Sequence, residues 1–147
     1  MAATPADAQV IMQLYDLRRE PEMRKARNWF ARFDPQSVDE VMSVVTAAGT
    51  DENRYFRMVT SYWDMAATLA LHGAVNESLF LDTQGEMFFI FAKLAPHLEG
   101  YREKMQNPEA MKRVEMLINK TDEGKKRLKA FSERISRMRA LAAAKKS

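Results

Sequence analysis

The chain has 147 residues, of which 46% are hydrophobic and 29% are charged, a composition that is normal for one globular domain and excludes an intrinsically disordered chain. It contains no cysteine, which excludes disulfides, thiolate metal sites and a cysteine nucleophile and fits a reducing compartment such as the cytoplasm. The most apolar run, residues 87–92, is too short to cross a bilayer, and residues 1–10 lack the pattern of a secretory signal.

The net charge of +3 is unevenly distributed along the chain. Residues 125–147 contain nine Lys or Arg and one acid, Glu133, a net charge of +8. Residues 1–124 contain fourteen basic and nineteen acidic residues, a net charge of −5. The sequence therefore predicts an acidic body and a basic C-terminal segment.

Apolar residues recur at helical spacing along almost the whole chain, and only five glycines and five prolines interrupt them. The first helix is predicted over residues 5–18 and the second over residues 21–34, each with a proline in its first turn. Ser37 followed by Glu40 is a capping-box pattern that opens a third helix, and Gly49 supplies a left-handed stop.

A long fourth helix is predicted over residues 51–72, closed by Gly73. After a short turn at residues 79–81, the next helix, residues 84–94, has no polar face and is expected at the centre of the core. Pro96 should kink or end it, and three further helices follow: 98–107, one that includes 111–118, and 125–144. We expect an all-α, single-domain bundle of seven or eight helices over residues 1–147.

The last helix is amphipathic and basic. Its apolar residues recur at the 3-4-3 spacing of a short coiled coil, over too few turns to stand alone. We expect it to mediate self-association or docking to a protein partner; the alternative is peripheral binding of its basic face to an anionic surface, either lipid or nucleic acid. The residues of this predicted surface are Leu128, Phe131, Ile135, Met138, Arg127, Arg134 and Arg137.

The last helix has one aromatic residue, Phe131, which lies in the apolar seam. Because the binding of nucleic acid relies on aromatic side chains that stack on the bases, nucleic acid is the weaker candidate partner. The alternative is that the seam packs on the protein's own acidic body or on a second copy, with the basic face solvated; residues 125–147 would then lie on the body instead of projecting from it.

A line of polar residues follows one sector of the fourth helix: Arg57, Ser61, Asp64, Thr68 and His72. Such a line is usually a solvated helix face. If instead it faces a pocket, Arg57, Asp64 and Arg102 would form a polar site for a small molecule between the helices of the bundle.

No catalytic or cofactor motif is present. The sequence has no Glu-x-x-His, no P-loop, no G-x-G-x-x-G, no H-E-x-x-H and no G-x-S-x-G. Its two histidines, His72 and His97, have no carboxylate three or four residues before them. We therefore expect no catalytic residue, no metal and no cofactor, and predict a non-enzymatic interaction module.

Three segments carry a resemblance to a known family: MVTSYWDMAATLALHGAV, NESLFLDTQGEMFF and LAPHLEGYREKMQNPEAMKRVEMLI. Together, over residues 58–118, they resemble a family of uncharacterised bacterial all-helical proteins, a domain of unknown function. That family usually has a glutamate near residues 62–64, where this chain has Asp64. The resemblance implies a helical fold and brings with it no activity and no site residue.

Overall fold

The computed structural model describes residues 1–146, which form nine α-helices and one 3₁₀ turn and contain no strand. The helices are α1 (Pro5–Arg18), α2 (Pro21–Arg32), α3 (Val38–Val45), α4 (Asp51–Leu71), α5 (Glu77–Thr83), α6 (Gly85–Leu94), α7 (Leu98–Met105), α8 (Lys112–Asn119) and α9 (Asp122–Lys145). The 3₁₀ turn at Ala95–His97 joins α6 directly to α7. If α6, this turn and α7 are counted as one helix, residues 1–146 contain eight helices. The predicted all-α, single-domain fold is confirmed.

The helices begin where side chains can accept the free amide hydrogens of a first turn. The Oγ1 atom of Thr121 accepts from the amide of Gly124 at 3.0 Å, and Ser37 caps α3 as predicted. The carboxylate of Glu40, however, bonds the amide of Gln36 at 2.7 Å instead of returning to Ser37. The reciprocal capping box lies instead at the start of α1, between Thr4 and Asp7.

The helix ends follow the glycines in part. Gly73, with φ +73°, directly follows the last residues of α4 and closes that helix as predicted. Gly49 is also left-handed, with φ +86°, but it lies in a turn four residues beyond the end of α3 at Val45. Helix α2 ends at Arg32, two residues earlier than predicted, because Phe33 is already extended. Helix α5 is longer than the single turn expected, since Asn76 caps it through the amide of Leu79.

The core is built on α4 and α6. Helix α4 packs against α2 and α8, and α6 packs against α8 and α9. The largest side chains with no exposed surface come from these elements and their neighbours: Trp63, Phe30, Phe80 and Phe88. The expectation that α6 lies at the centre of the core is confirmed, because all of its residues from Met87 to Leu94 except Phe89 are buried.

A cluster of charged side chains ties α1 and α2 to α6. The guanidinium of Arg18 lies over the rings of Tyr15 and Trp63, at 5.4 and 5.3 Å from the ring centroids, and 3.4 Å from the carboxylate of Glu86. The Nε atom of Arg27 donates to Glu86 at 3.0 Å, and its Nη1 atom donates to the carbonyl of Arg18 at 3.2 Å. These contacts compensate the burial of the cluster only in part, because the buried Nε atom of Arg18 has no hydrogen-bond partner among the described residues.

Lys93 is the second charged residue of α6, and its role was not predicted. Lys93 is only 4% exposed, and its ammonium donates to the carbonyls of Phe30, Ala31 and Phe33 at 3.0, 2.8 and 2.8 Å. These carbonyls end α2, which has no glycine to turn its last residues. Lys93 therefore closes α2 from another helix, and its burial lowers its pKa to about 8, an effect that the charge of Asp34 opposes.

The lowered pKa of Lys93 predicts that the contribution of this residue to stability rises with pH. Between about pH 8 and pH 10.5 Lys93 holds a proton in the unfolded chain that it has released in the folded chain, so its contribution to the free energy of unfolding should rise by about 3 kcal/mol. Urea unfolding at several pH values, for wild type and Lys93→Met, measures this. The difference between the two proteins should change across that window, and a constant difference would contradict the assignment.

Candidate functional site

Helix α9 packs along the body for its first four turns. It contacts α6 and α8, and Ile135 is only 7% exposed. The ring of Phe131 stacks on that of Phe88 in α6, with centroids 5.8 Å apart and planes 14° apart. Leu128 is half-buried against the core. Three of the four apolar residues of the predicted seam therefore pack on the protein's own core.

Three of the arginines of α9 also contact the protein itself. Arg127 lies 4.6 Å over the ring of Phe88 and donates to the carbonyl of Leu81. Arg134 lies 4.7 Å over the ring of Phe131. Arg139 holds the carboxylate of Asp34, with its Nε atom 2.9 Å from both oxygens.

The pairing of Arg139 with Asp34 was not predicted, because 105 residues separate the two in the chain and no local pattern marks them. The neighbouring guanidinium lowers the pKa of Asp34, and the carboxylate raises that of Arg139. This ion pair fastens the last turns of α9 to the loop that follows α2.

The end of α9 presents a different surface. Met138 is 62% exposed and Leu141 is 60% exposed, one turn apart and on the same side. The exposed cations on that side are Arg134, Arg137 and Lys145. We call the five residues Arg134, Arg137, Met138, Leu141 and Lys145 the distal face of α9.

The polar line of α4 borders a cleft. Arg57 and Asp64 line this cleft of about 460 Å³, together with Ser61, Tyr101 and Asn107. Thr68 bonds the carbonyl of Asp64 within α4 and lies outside the cleft, as does His72, which is exposed at the end of the helix. The structure thus brings Arg57 and Asp64 together at one surface.

Asp64 has a structural partner in this position. Its Oδ1 atom accepts from the amides of Arg113 at 2.9 Å and Val114 at 3.2 Å. Helix α8 starts from Met111, which has the left-handed φ of 55° and provides no capping oxygen. Asp64 therefore caps α8 from α4, and the carboxylate suits the positive end of that helix.

Arg102 does not join this cleft. Its Nε atom donates to the carbonyl of Ala110 at 2.9 Å, and its Nη1 atom lies 3.1 Å from the carboxylate of Glu115. It lines a separate depression with Glu99 and Lys112. Of the three residues of the speculative polar site, the structure brings two together and pairs the third elsewhere.

Metal sites and membrane-spanning helices are both absent from residues 1–146. These residues contain no group of three or more His, Asp or Glu side chains placed to hold a metal ion. No helix among them combines the length and apolar character that crossing a membrane requires.

The fold and these surfaces define the class of the protein as an all-α, single-domain protein with a basic C-terminal helix that packs on its core. Residues 3–121 match the family described as the domain of unknown function DUF4760, and the chain belongs to that family. The resemblance of residues 58–118 to a domain of unknown function is thereby confirmed, and the match extends it over α1 to α8. Helix α9 begins at the next residue, Asp122, outside the matched part. No curated protein and no solved structure matches the chain.

Capping of α8 by Asp64 predicts a loss of stability when the carboxylate is removed. Asp64→Ala should lower the free energy of unfolding by about 1–2 kcal/mol, because two amides of a first turn lose their acceptor. Asp64→Asn keeps an acceptor oxygen and should cost less. Urea unfolding measures both, and equal effects of the two substitutions would contradict the capping role.

The packing of α9 predicts that its two parts respond differently to truncation of side chains. Phe131→Ala should lower the free energy of unfolding by about 2–3 kcal/mol, because it removes the ring that covers Phe88. Met138→Ala should change it by less than about 0.5 kcal/mol, because that side chain is exposed. Thermal and urea unfolding measure both, and a mild effect of Phe131→Ala would mean that α9 is not part of the core.

Proposed function

We propose that this protein is a non-enzymatic helical interaction module that docks onto an anionic surface through the distal face of α9. The observation that carries the proposal is the exposure of Met138 and Leu141, 62% and 60%, among cations on the last turns of the helix. Apolar side chains flanked by Lys and Arg are typical of helices that lie in the interface of an anionic bilayer. An anionic lipid bilayer is therefore the surface to which we assign this face.

The charges of α9 support this assignment. Within residues 1–146, seven cations of the helix region have no ion pair and are exposed: Lys125, Lys126, Lys129, Arg134, Arg137, Lys145 and Lys146. The only acid in residues 125–146 is Glu133. Each cation held near an anionic membrane contributes about 1 kcal/mol of attraction, so a few of them together give appreciable binding.

Self-association is the weaker use of the same face. The proximal part of the seam, Leu128, Phe131 and Ile135, already packs on the protein's own core. A symmetric contact between two distal faces would bring Arg134, Arg137 and Lys145 of one copy against the same residues of the other. The like charges repel, which supports docking to an anionic surface over a homodimer.

We place this docking in the cytoplasm of a bacterium. The sequence contains no cysteine, which fits a reducing compartment, and the resemblance described above is to bacterial helical proteins. The surface would then be the inner leaflet of the cell membrane, reached from the cytoplasmic side.

Vesicle binding tests the proposal. The protein should sediment with vesicles of equimolar phosphatidylcholine and phosphatidylglycerol and not with phosphatidylcholine alone, and the binding should weaken steeply with added salt. The variant Met138→Gln with Leu141→Gln should bind at least about tenfold more weakly, because it loses apolar contact. The variant Arg134→Gln with Arg137→Gln should bind about thirtyfold more weakly, because it loses two charges.

The matched control carries Met12→Gln and Met65→Gln, two exposed methionines on α1 and α4, and should bind like wild type. All variants should keep the circular dichroism and melting temperature of the parent. Binding that does not depend on phosphatidylglycerol would overturn the proposal. Light scattering that finds a dimer, dissociated by Met138→Gln with Leu141→Gln, would instead assign the face to self-association.

A further inference from the structure

A pocket lies beside the distal face of α9, where the end of α2 and the side of α6 approach that helix. Its volume is about 260 Å³, far more than one water molecule needs. Its walls are mostly apolar: Phe89 from α6, and Ile135, Met138 and Ala142 from α9. A cavity with such walls favours an apolar group over water.

One end of this pocket is charged. Asp34, Lys93 and Arg139 line it, which gives two cations and one anion. The ammonium of Lys93 donates to three carbonyls of α2 and is fixed in place. Arg139 binds Asp34 through its Nε and Nη2 atoms, while its Nη1 atom has no hydrogen bond within the described residues. The pocket therefore combines an apolar interior with a net positive end.

We propose that this pocket binds an aliphatic carboxylate, with the chain along Phe89, Ile135 and Met138 and the carboxylate on the guanidinium of Arg139. The chain would gain from leaving water, and the planar guanidinium matches the geometry of a carboxylate. The sign of the charge selects an anion over an amine of the same length. The proposal does not depend on docking to a surface, because a dissolved ligand suffices.

Asp34 is the internal competitor of this ligand. Its carboxylate holds the same guanidinium that the ligand would bind, at 2.9 Å from the Nε atom. Removal of Asp34 should therefore strengthen ligand binding, whereas removal of Arg139 should weaken it. If the ion pair served only to hold α9 in place, both substitutions would break it and would affect binding in the same direction.

Titration with octanoate, below the concentration at which it forms micelles, tests the proposal. The methyl resonances of Met138, Ala31 and Ala142 should shift as octanoate is added. Arg139→Gln should weaken binding by about tenfold, the loss of one charge-assisted hydrogen bond, and Asp34→Asn should tighten it. Arg137→Gln, on the same helix but outside the pocket, is the matched control and should leave octanoate binding unchanged while it weakens binding to anionic vesicles.

Three results would overturn the proposal. Octanol or octylamine that binds as tightly as octanoate would show that the charged end does not select the ligand. If Arg139→Gln and Asp34→Asn changed the affinity for octanoate in the same direction, the ion pair would have a structural role alone. Methyl shifts confined to distant residues such as Met65 would place any octanoate site elsewhere. Failure of vesicle binding would leave each of these outcomes unchanged, so the two proposals are tested separately.

Discussion

Helix α6 carries apolar side chains on all its sides, and the rest of the structure is arranged to cover it. Helix α8 covers one side, and Phe131 of α9 covers Phe88 on another. The two charges that α6 does carry sit near its ends, and both hold the α1–α2 region: Glu86 through Arg18 and Arg27, and Lys93 through the last carbonyls of α2. A single apolar helix thus fixes the position of elements far apart in the chain.

This arrangement also explains how α9 relates to the family domain. The family match ends at residue 121. The ring of Phe88, which lies within the match, is nevertheless covered by Phe131, which lies beyond it. The first part of α9 therefore belongs to the fold, although it lies outside the matched part. The residues left for other roles lie beyond Ile135, where Met138 and Leu141 are exposed.

The fold followed from local features of the sequence. The cap at Ser37, the glycine stop at Gly73 and helical periodicity act over a few residues, so their positions could be predicted. Lys93 was missed because it is one charge at the end of an apolar run. The partners of Asp64 and Arg139 could not be predicted, since they lie 49 and 105 residues away and depend on how helices pack. Periodicity also predicted a single interaction seam along α9, whereas packing divides this helix into a buried first part and an exposed last part.

The ion pair between Arg139 and Asp34 has a consequence for local unfolding. The first four turns of α9 can leave the body only if Phe131 and Ile135 leave the core, so their amides should exchange with solvent only at a cost approaching that of global unfolding. The last turns are held chiefly by one half-exposed ion pair, which contributes little and is weakened by salt. One continuous helix therefore comprises two units of very different opening free energy, and ionic strength acts on the second alone.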